Sequence, residues 1–184
     1  MELINLEFSI FPSGIPENLR KNESAEAFSV RLAEEKAADI AAHHPNAIVI
    51  GADTVVVLDG EILGKPETSS KATTMLRTMR NQTHQVLTGV ALVKTDEYAA
   101  ITNRNVFFER TEVTFGNIAD AEIEEYVASG SPMDKAGAYG IQDDWGALFV
   151  QRIDGDYYNV VGFPLHRFYQ ELKTFAPALT PHPH

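Results

Sequence analysis

A chain of 184 residues with 44% hydrophobic content is long enough for one sizeable core and short for two independent domains, so a single domain with two lobes is expected. Its formal net charge of −11 argues against a nucleic-acid polymer or an anionic membrane surface as partner, because both are held by clustered Lys and Arg. With no cysteine, disulfides, thiolate metal sites and a cysteine nucleophile are excluded.

The N-terminus, MELINLEFSIFPSG, carries acids rather than a basic leader, and no long uncharged apolar stretch follows, which predicts a soluble, cytoplasmic protein. Residues 6–13, LEFSIFPS, read as a short strand ended by Pro12 and Gly14. From Ser24 the pattern turns helical. Ala27, Val30, Ala33, Ala37 and Ile40 recur at spacings of three and four through about His43, and Pro45 with Asn46 ends the run. AIVIGA and TVVVL, on either side of Asp53, then read as buried β structure, and Asp59-Gly60 is a dipeptide of tight hairpin turns. The spacing predicts a second helix from Thr68 to Arg80, capped by Thr68 or Ser69, with Ala72, Met75, Leu76 and Met79 facing the core.

HQVLTGVALVK (84–94) and NVFFERTEVTF (105–115) are long β-rich segments. Asp120 is expected to cap a helix running through Ser129, closed by Gly130 and Pro132. ALFVQRI, Asp154-Gly155 and YYNVVG read as another hairpin, and PLHRFYQELKTF as a last helix with Pro164 in its first turn. The fold class that follows is α/β: a mixed β-sheet flanked by helices, with β-hairpins. Residues 176–184, APALTPHPH, read as a disordered tail, whose His182 and His184 are either metal-binding or simply part of a loose end.

Five places can carry chemistry. Asp53 interrupts an apolar run, and an ionised carboxylate there needs hydrogen bonds, a counter-charge or a metal. It is either a site residue or the end of a strand with its carboxylate on backbone N–H groups. Lys65, between Gly64 and Pro66, is either a fixed charge for a phosphate or a solvated turn lysine. DKAGAYGIQD (134–143) offers Lys135 and Gln142 beside glycines that allow a ligand close to the backbone, or is an ordinary loop. Glu17 is a metal ligand or a solvated acid, and His84 reads as a hydrogen-bonded histidine at a strand start rather than a catalytic base.

GADTVVVLDGEILGKP, NQTHQVLTGVAL, RTEVTF, SGSPMDKAGAYGIQ and GDYYNVVGFPL occur in an order and spacing that resembles the Maf-like (septum-formation) nucleotide pyrophosphatases over about residues 8–175. The resemblance implies a domain with two lobes around a nucleotide cleft. It also implies an enzyme that cuts nucleoside triphosphates between the α- and β-phosphates with Mg²⁺ or Mn²⁺, and a homodimer. Asp53 matches that family's proposed catalytic carboxylate, Lys65 its phosphate-binding lysine, Lys135 a basic residue of the same pocket, and Glu17 a carboxylate that joins Asp53 at the metal. Thr54 and Gln142 match the pattern of the branch acting on dTTP and UTP, and are candidates for choosing the base, with CTP and modified pyrimidine nucleotides as further substrates. Against that resemblance, the chain is expected to start past the family's Ser- and Arg-containing phosphate loop. The loss of such a loop is expected to weaken triphosphate binding, which leaves a catalytically impaired nucleotide-binding or regulatory protein as the alternative.

Overall fold

In a computed structural model, which describes residue 4 and residues 6–142 and 144–180, the Ser24 hydroxyl accepts the Ala27 N–H and opens helix α1, Ala25–Ala41. Residues 6–20 form no regular secondary structure, contrary to the strand expected at 6–13. Alternating residues alone do not make a strand: it needs a neighbour to take its N–H and C=O groups, and Phe8, Ile10 and Phe11 are exposed. The segment expected as a tail begins with a buried Ala176 and a 3₁₀ turn at Pro177–Leu179; His182 and His184 lie outside the described residues.

Strand β1, Ile48–Leu58, runs without a break through Asp53, which therefore stands inside a strand and does not end one. Asp59 and Gly60 take positive φ of 51° and 83° and return the chain into β2, Glu61–Leu63, with Leu58 opposite Glu61. Helix α2, Ser69–Met79, is capped by the Thr68 hydroxyl and buries Ala72, Met75, Leu76 and Met79, as its period requires. Strands β3, Thr83–Thr95, and β4, Ile101–Phe115, are joined by a turn in which the Asp96 carboxylate accepts the N–H groups of Tyr98 and Ala100.

Helix α3, Asp120–Ala128, starts one residue earlier than expected. Ala119 is the cap position, Glu122 reaches back to its N–H at 2.6 Å, and Asp120 pairs with Arg77 and Arg80 of the α2 region. The second expected hairpin is absent. Residues 144–149 form α4, Asp144–Phe149, and Val150–Asp154 form β5, which pairs with β4. YYNVV is a short helix, α5, Tyr157–Val161, because Asp156 caps it through the N–H groups of Tyr158 and Asn159 and Gly162 closes it at φ 119°. The last helix, α6, spans Leu165–Phe175.

The strands form one sheet in the order β2-β1-β3-β4-β5. The helix-flanked α/β class holds, but the sheet is antiparallel rather than mixed. The β1–β2 and β4–β5 pairs are antiparallel, and β1 runs against β3, with Ala47 bonded to Thr95 at one end and Thr54 to Thr88 further along. Short turns join β1 to β2 and β3 to β4, whereas the chain passes through β2 and α2 between β1 and β3, and through α3 and α4 between β4 and β5.

The chain divides into two units. The first comprises residues up to Asp53, Gly89–Glu109 and residues from Pro164; the second comprises Thr54–Thr88 and Arg110–Phe163. In the first, Ala33, Ala37 and Ala41 of α1 pack on Ala91 and Val93. In the second, Val56, Leu58, the buried face of α2, Phe115, Ile123, Tyr126, Tyr139 and Phe149 form a larger core. Among the described residues no helix is long and apolar enough to cross a membrane.

Candidate active site

In the first unit, α1 lies directly on the strand backbone. A Cβ at Gly51 would stand 2.1 Å from the Ala33 carbonyl oxygen and 2.8 Å from the Ala37 nitrogen, so only glycine admits this approach. Asp53, two residues on, shares the Gly51 face of β1 because strand side chains alternate. Its Oδ1 accepts from Lys36 Nζ of α1 at 2.7 Å, and the same ammonium meets Glu17 Oε1 at 2.6 Å. The Asp53 side chain is only 9% exposed, against 50% for Glu17. Burial alone would pull Lys36 down, but the hydrogen bonds and charges of Asp53 and then Glu17 outweigh it and hold the ammonium above the usual lysine range.

In the second unit, Thr54 Oγ1 lies 2.9 Å from Thr88 Oγ1 and donates to the Gly162 carbonyl at 3.3 Å, while Thr88 reaches the Asn159 carbonyl at 3.4 Å. Both carbonyls belong to the α5 segment. Asn159 anchors that segment by donating Nδ2 to Val86 O at 3.0 Å and Thr111 Oγ1 at 3.1 Å. The loop after β2 is tied to the 3₁₀ turn Ala136–Ala138 by a Gly137 N–H to Gly64 O bond of 3.1 Å. Lys135 Nζ donates to Ser131 O at 2.7 Å and Asp134 Oδ1 at 2.8 Å. That hydrogen bond, with the charges of Lys135 and Lys65, holds the Asp134 carboxyl below the usual range, so two lysines attend one acid. Gln142 stands in an exposed turn.

Residues 1–175 match the family model described as Maf-like protein. The chain belongs to the Maf-like family. Similar proteins named dTTP/UTP pyrophosphatase come from Geobacillus sp. (strain WCH70), 48% identical over 94% of this chain and 89% of the relative, and from Bacillus mycoides (strain KBAB4), 44% identical over 98% and 91%. A third, of the same name, from Salinibacter ruber (strain DSM 13855 / M31), is 54% identical over 84% of this chain and 75% of its own.

In this Maf-like chain, the fold joins Glu17 and Asp53 through Lys36, groups Lys65 and Lys135 around Asp134, and ties Thr54 to Thr88 and α5. Sequence reasoning missed Lys36 and Thr88. The signal for Lys36 was present: Ala33 and Ala37 flank it on α1, and Gly51 stands two residues before Asp53, which together announce a close helix–strand contact with a lysine and a carboxylate beside it. His84 is buried at 1% exposure, with Nε2 2.8 Å from the Tyr139 hydroxyl and its ring edge-on to Phe115 at 4.8 Å. Burial pushes it down to about 4, so at neutral pH it is an uncharged core histidine, in line with the sequence reading.

The donor set suits a hard divalent cation. Glu17 and Asp53 present carboxylate oxygens to one ammonium, which marks a place where positive charge is held by oxygen. Among the described residues no group of three or more acidic or histidine side chains that could hold a metal gathers, and Glu17 and Asp53 on Lys36 supply two carboxylates. Mg²⁺ commonly binds this way, completing its shell with phosphate and water.

Proposed function

We propose that this Maf-like protein hydrolyses dTTP and UTP to the monophosphate and pyrophosphate. The observation that carries the reading is the Asp53–Lys36–Glu17 cluster: a carboxylate fixed inside a strand, almost fully buried, and paired to an ammonium that a second acid also holds. The names of its relatives give the nucleotide class. Asp53 accepts the proton of the attacking water as the water oxygen bonds to the α-phosphorus. The bond from that phosphorus to the α–β bridging oxygen breaks, and pyrophosphate leaves with the electron pair. A base for this step needs a fixed position, which the strand interior and the Lys36 hydrogen bond supply.

Lys36 neutralises part of the negative charge at the base, and Lys65 and Lys135 bind phosphate oxygens. Glu17 and Asp53 would hold Mg²⁺ or Mn²⁺, which when bound offsets phosphate charge. Thr54 and Gln142 offer a hydroxyl and an amide to the pyrimidine edge, and CTP and modified pyrimidine triphosphates extend the same chemistry.

Incubation with dTTP and Mg²⁺, followed by anion-exchange separation, tests this reading. The expected products are dTMP and pyrophosphate in equal amounts. Release of orthophosphate with dTDP would overturn it, and nucleotide binding with no product would leave a binding or regulatory protein.

A further inference from the structure

Glu17 sits on a stretch with no regular secondary structure, and half of its side chain is exposed, yet its carboxylate meets Lys36 at 2.6 Å. Besides an exposed ion pair from Arg20 Nη2 to Glu35 Oε1 at 2.8 Å, two polar ties on either side of Glu17 bind this stretch to α1. Before Glu17, Ser13 Oγ donates to Asp39 Oδ2 at 2.8 Å on the exposed surface. After it, the Arg31 guanidinium donates Nη2 to the Asn18 carbonyl at 3.0 Å, one residue from Glu17.

The second tie is the stronger. Arg31 also grips both oxygens of Glu23, Nε to Oε1 at 2.6 Å and Nη2 to Oε2 at 2.8 Å, and donates Nη1 to Glu35 Oε2 at 3.0 Å. Its side chain is 15% exposed and that of Glu23 is 9% exposed. The hydrogen bond from Arg31 holds the Glu23 carboxyl down at about 2, so the pair stays charged through the neutral range. Glu23 in turn accepts the Arg20 N–H at 3.0 Å, which closes the loop from Asn18 to Glu23 onto the helix. Only a planar fork of N–H donors makes these contacts together; a lysine ammonium is a single point on a flexible stem.

We infer that Arg31 is a positioning residue for divalent-cation binding: by fixing the backbone at Asn18 it holds the Glu17 carboxylate beside Lys36 and Asp53, without itself touching cation or nucleotide. The inference rests on the proposed role of Glu17 as a cation ligand. Groups that orient a ligand in this way typically contribute about ten- to a hundredfold to metal affinity.

The test is Mn²⁺ binding by the whole chain, followed by loss of the free-ion paramagnetic resonance signal, which needs no turnover. Arg31→Lys is expected to weaken Mn²⁺ binding about tenfold. Glu23→Gln is expected to weaken it in the same direction but less, and it serves if the first variant does not fold. In the Glu17→Gln background, Arg31→Lys is expected to cause no further loss, because it acts through Glu17; a general stabilising role would instead add its effect to that of Glu17→Gln. Wild-type Mn²⁺ affinity in both Arg31→Lys and Glu23→Gln, or additive losses in the double variant, overturns the inference. Unchanged affinity in Glu17→Gln overturns it together with the cation role of Glu17. If the Mn²⁺ pattern holds while dTTP is not cleaved, the positioning role stands and the proposed hydrolysis falls.

Discussion

The two units are packed by opposite means. In the first, Ala33, Ala37 and Ala41 of α1 pack with Ala91 and Val93, Gly51 lies against Ala33 and Ala37 and Gly89 against Ser29 and Val30, so the helix backbone rests on strand backbone. In the second, His84, Phe115, Tyr139, Tyr126 and Phe149 interlock edge to face, with centroids 4.8 Å apart for Phe115–Tyr139 and 5.3 Å for Tyr126–Phe149. Rings bury far more apolar area per residue than alanines and contribute correspondingly more to stability. The small-residue contact gains less burial but leaves little play between α1 and β1, which is what a lysine–carboxylate pair at 2.7 Å requires. The first unit holds the Lys36–Asp53 pair on a close backbone contact, and the second holds the larger apolar core.

Three variants and one control probe that contrast. The largest effect is expected for Asp53→Asn, which keeps the shape of the cluster and removes the proposed base. Turnover of dTTP should fall by about 10²- to 10⁴-fold with the fold intact by circular dichroism. Near-normal kcat would show that the close-packed unit does not carry the chemistry.

The next effect belongs to the ring-packed core. His84 takes up a proton near 6.5 when unfolded but only near 4 when folded, so its contribution is complete above pH 6.5 and is lost as the pH falls through about 4. Urea midpoints should report a loss of about 3 kcal/mol across that window. The slope attributable to this residue should vanish in His84→Gln, and a loss of equal size in that variant assigns it to other groups.

The smallest effect is expected for Gly51→Ala, about 1–3 kcal/mol in urea unfolding, since the added methyl meets backbone rather than a yielding side chain. Gly64→Ala is the control: its Cβ would meet nothing within 4 Å, and stability should stay within about 0.5 kcal/mol. Equal midpoints for the two would remove the argument from close approach.

What could be read in advance followed from the strength of local signals. Helix α2 declared its cap at Thr68 and its buried face through Ala72, Met75, Leu76 and Met79, and Asp59-Gly60 declared its turn. α5 did not, because five residues are too few to show a helical period and Tyr, Asn and Val carry no helical bias; Asp156 and Gly162 decide it from outside. The strand expected at 6–13 fails for want of a partner, which no local pattern reveals. Asp53 was legible as an oddity in an apolar run. The ammonium that accounts for it lies 17 residues upstream on another element, and only the glycine–alanine contact brings it near.

Gly51 and Gly89 also limit how this sequence can drift. At each, the volume of a first methyl group is already taken by the backbone of α1, 2.1 Å and 2.3 Å away, so no series of small steps enlarges either position. Change there needs the whole helix to shift, and Lys36 would move with it. The freedom to vary lies instead on the outward side of α1, at residues such as Glu34, whose Arg104 ion pair is largely solvent-exposed. One helix thus has a face closed to substitution and a face open to it, and the closed one carries the lysine.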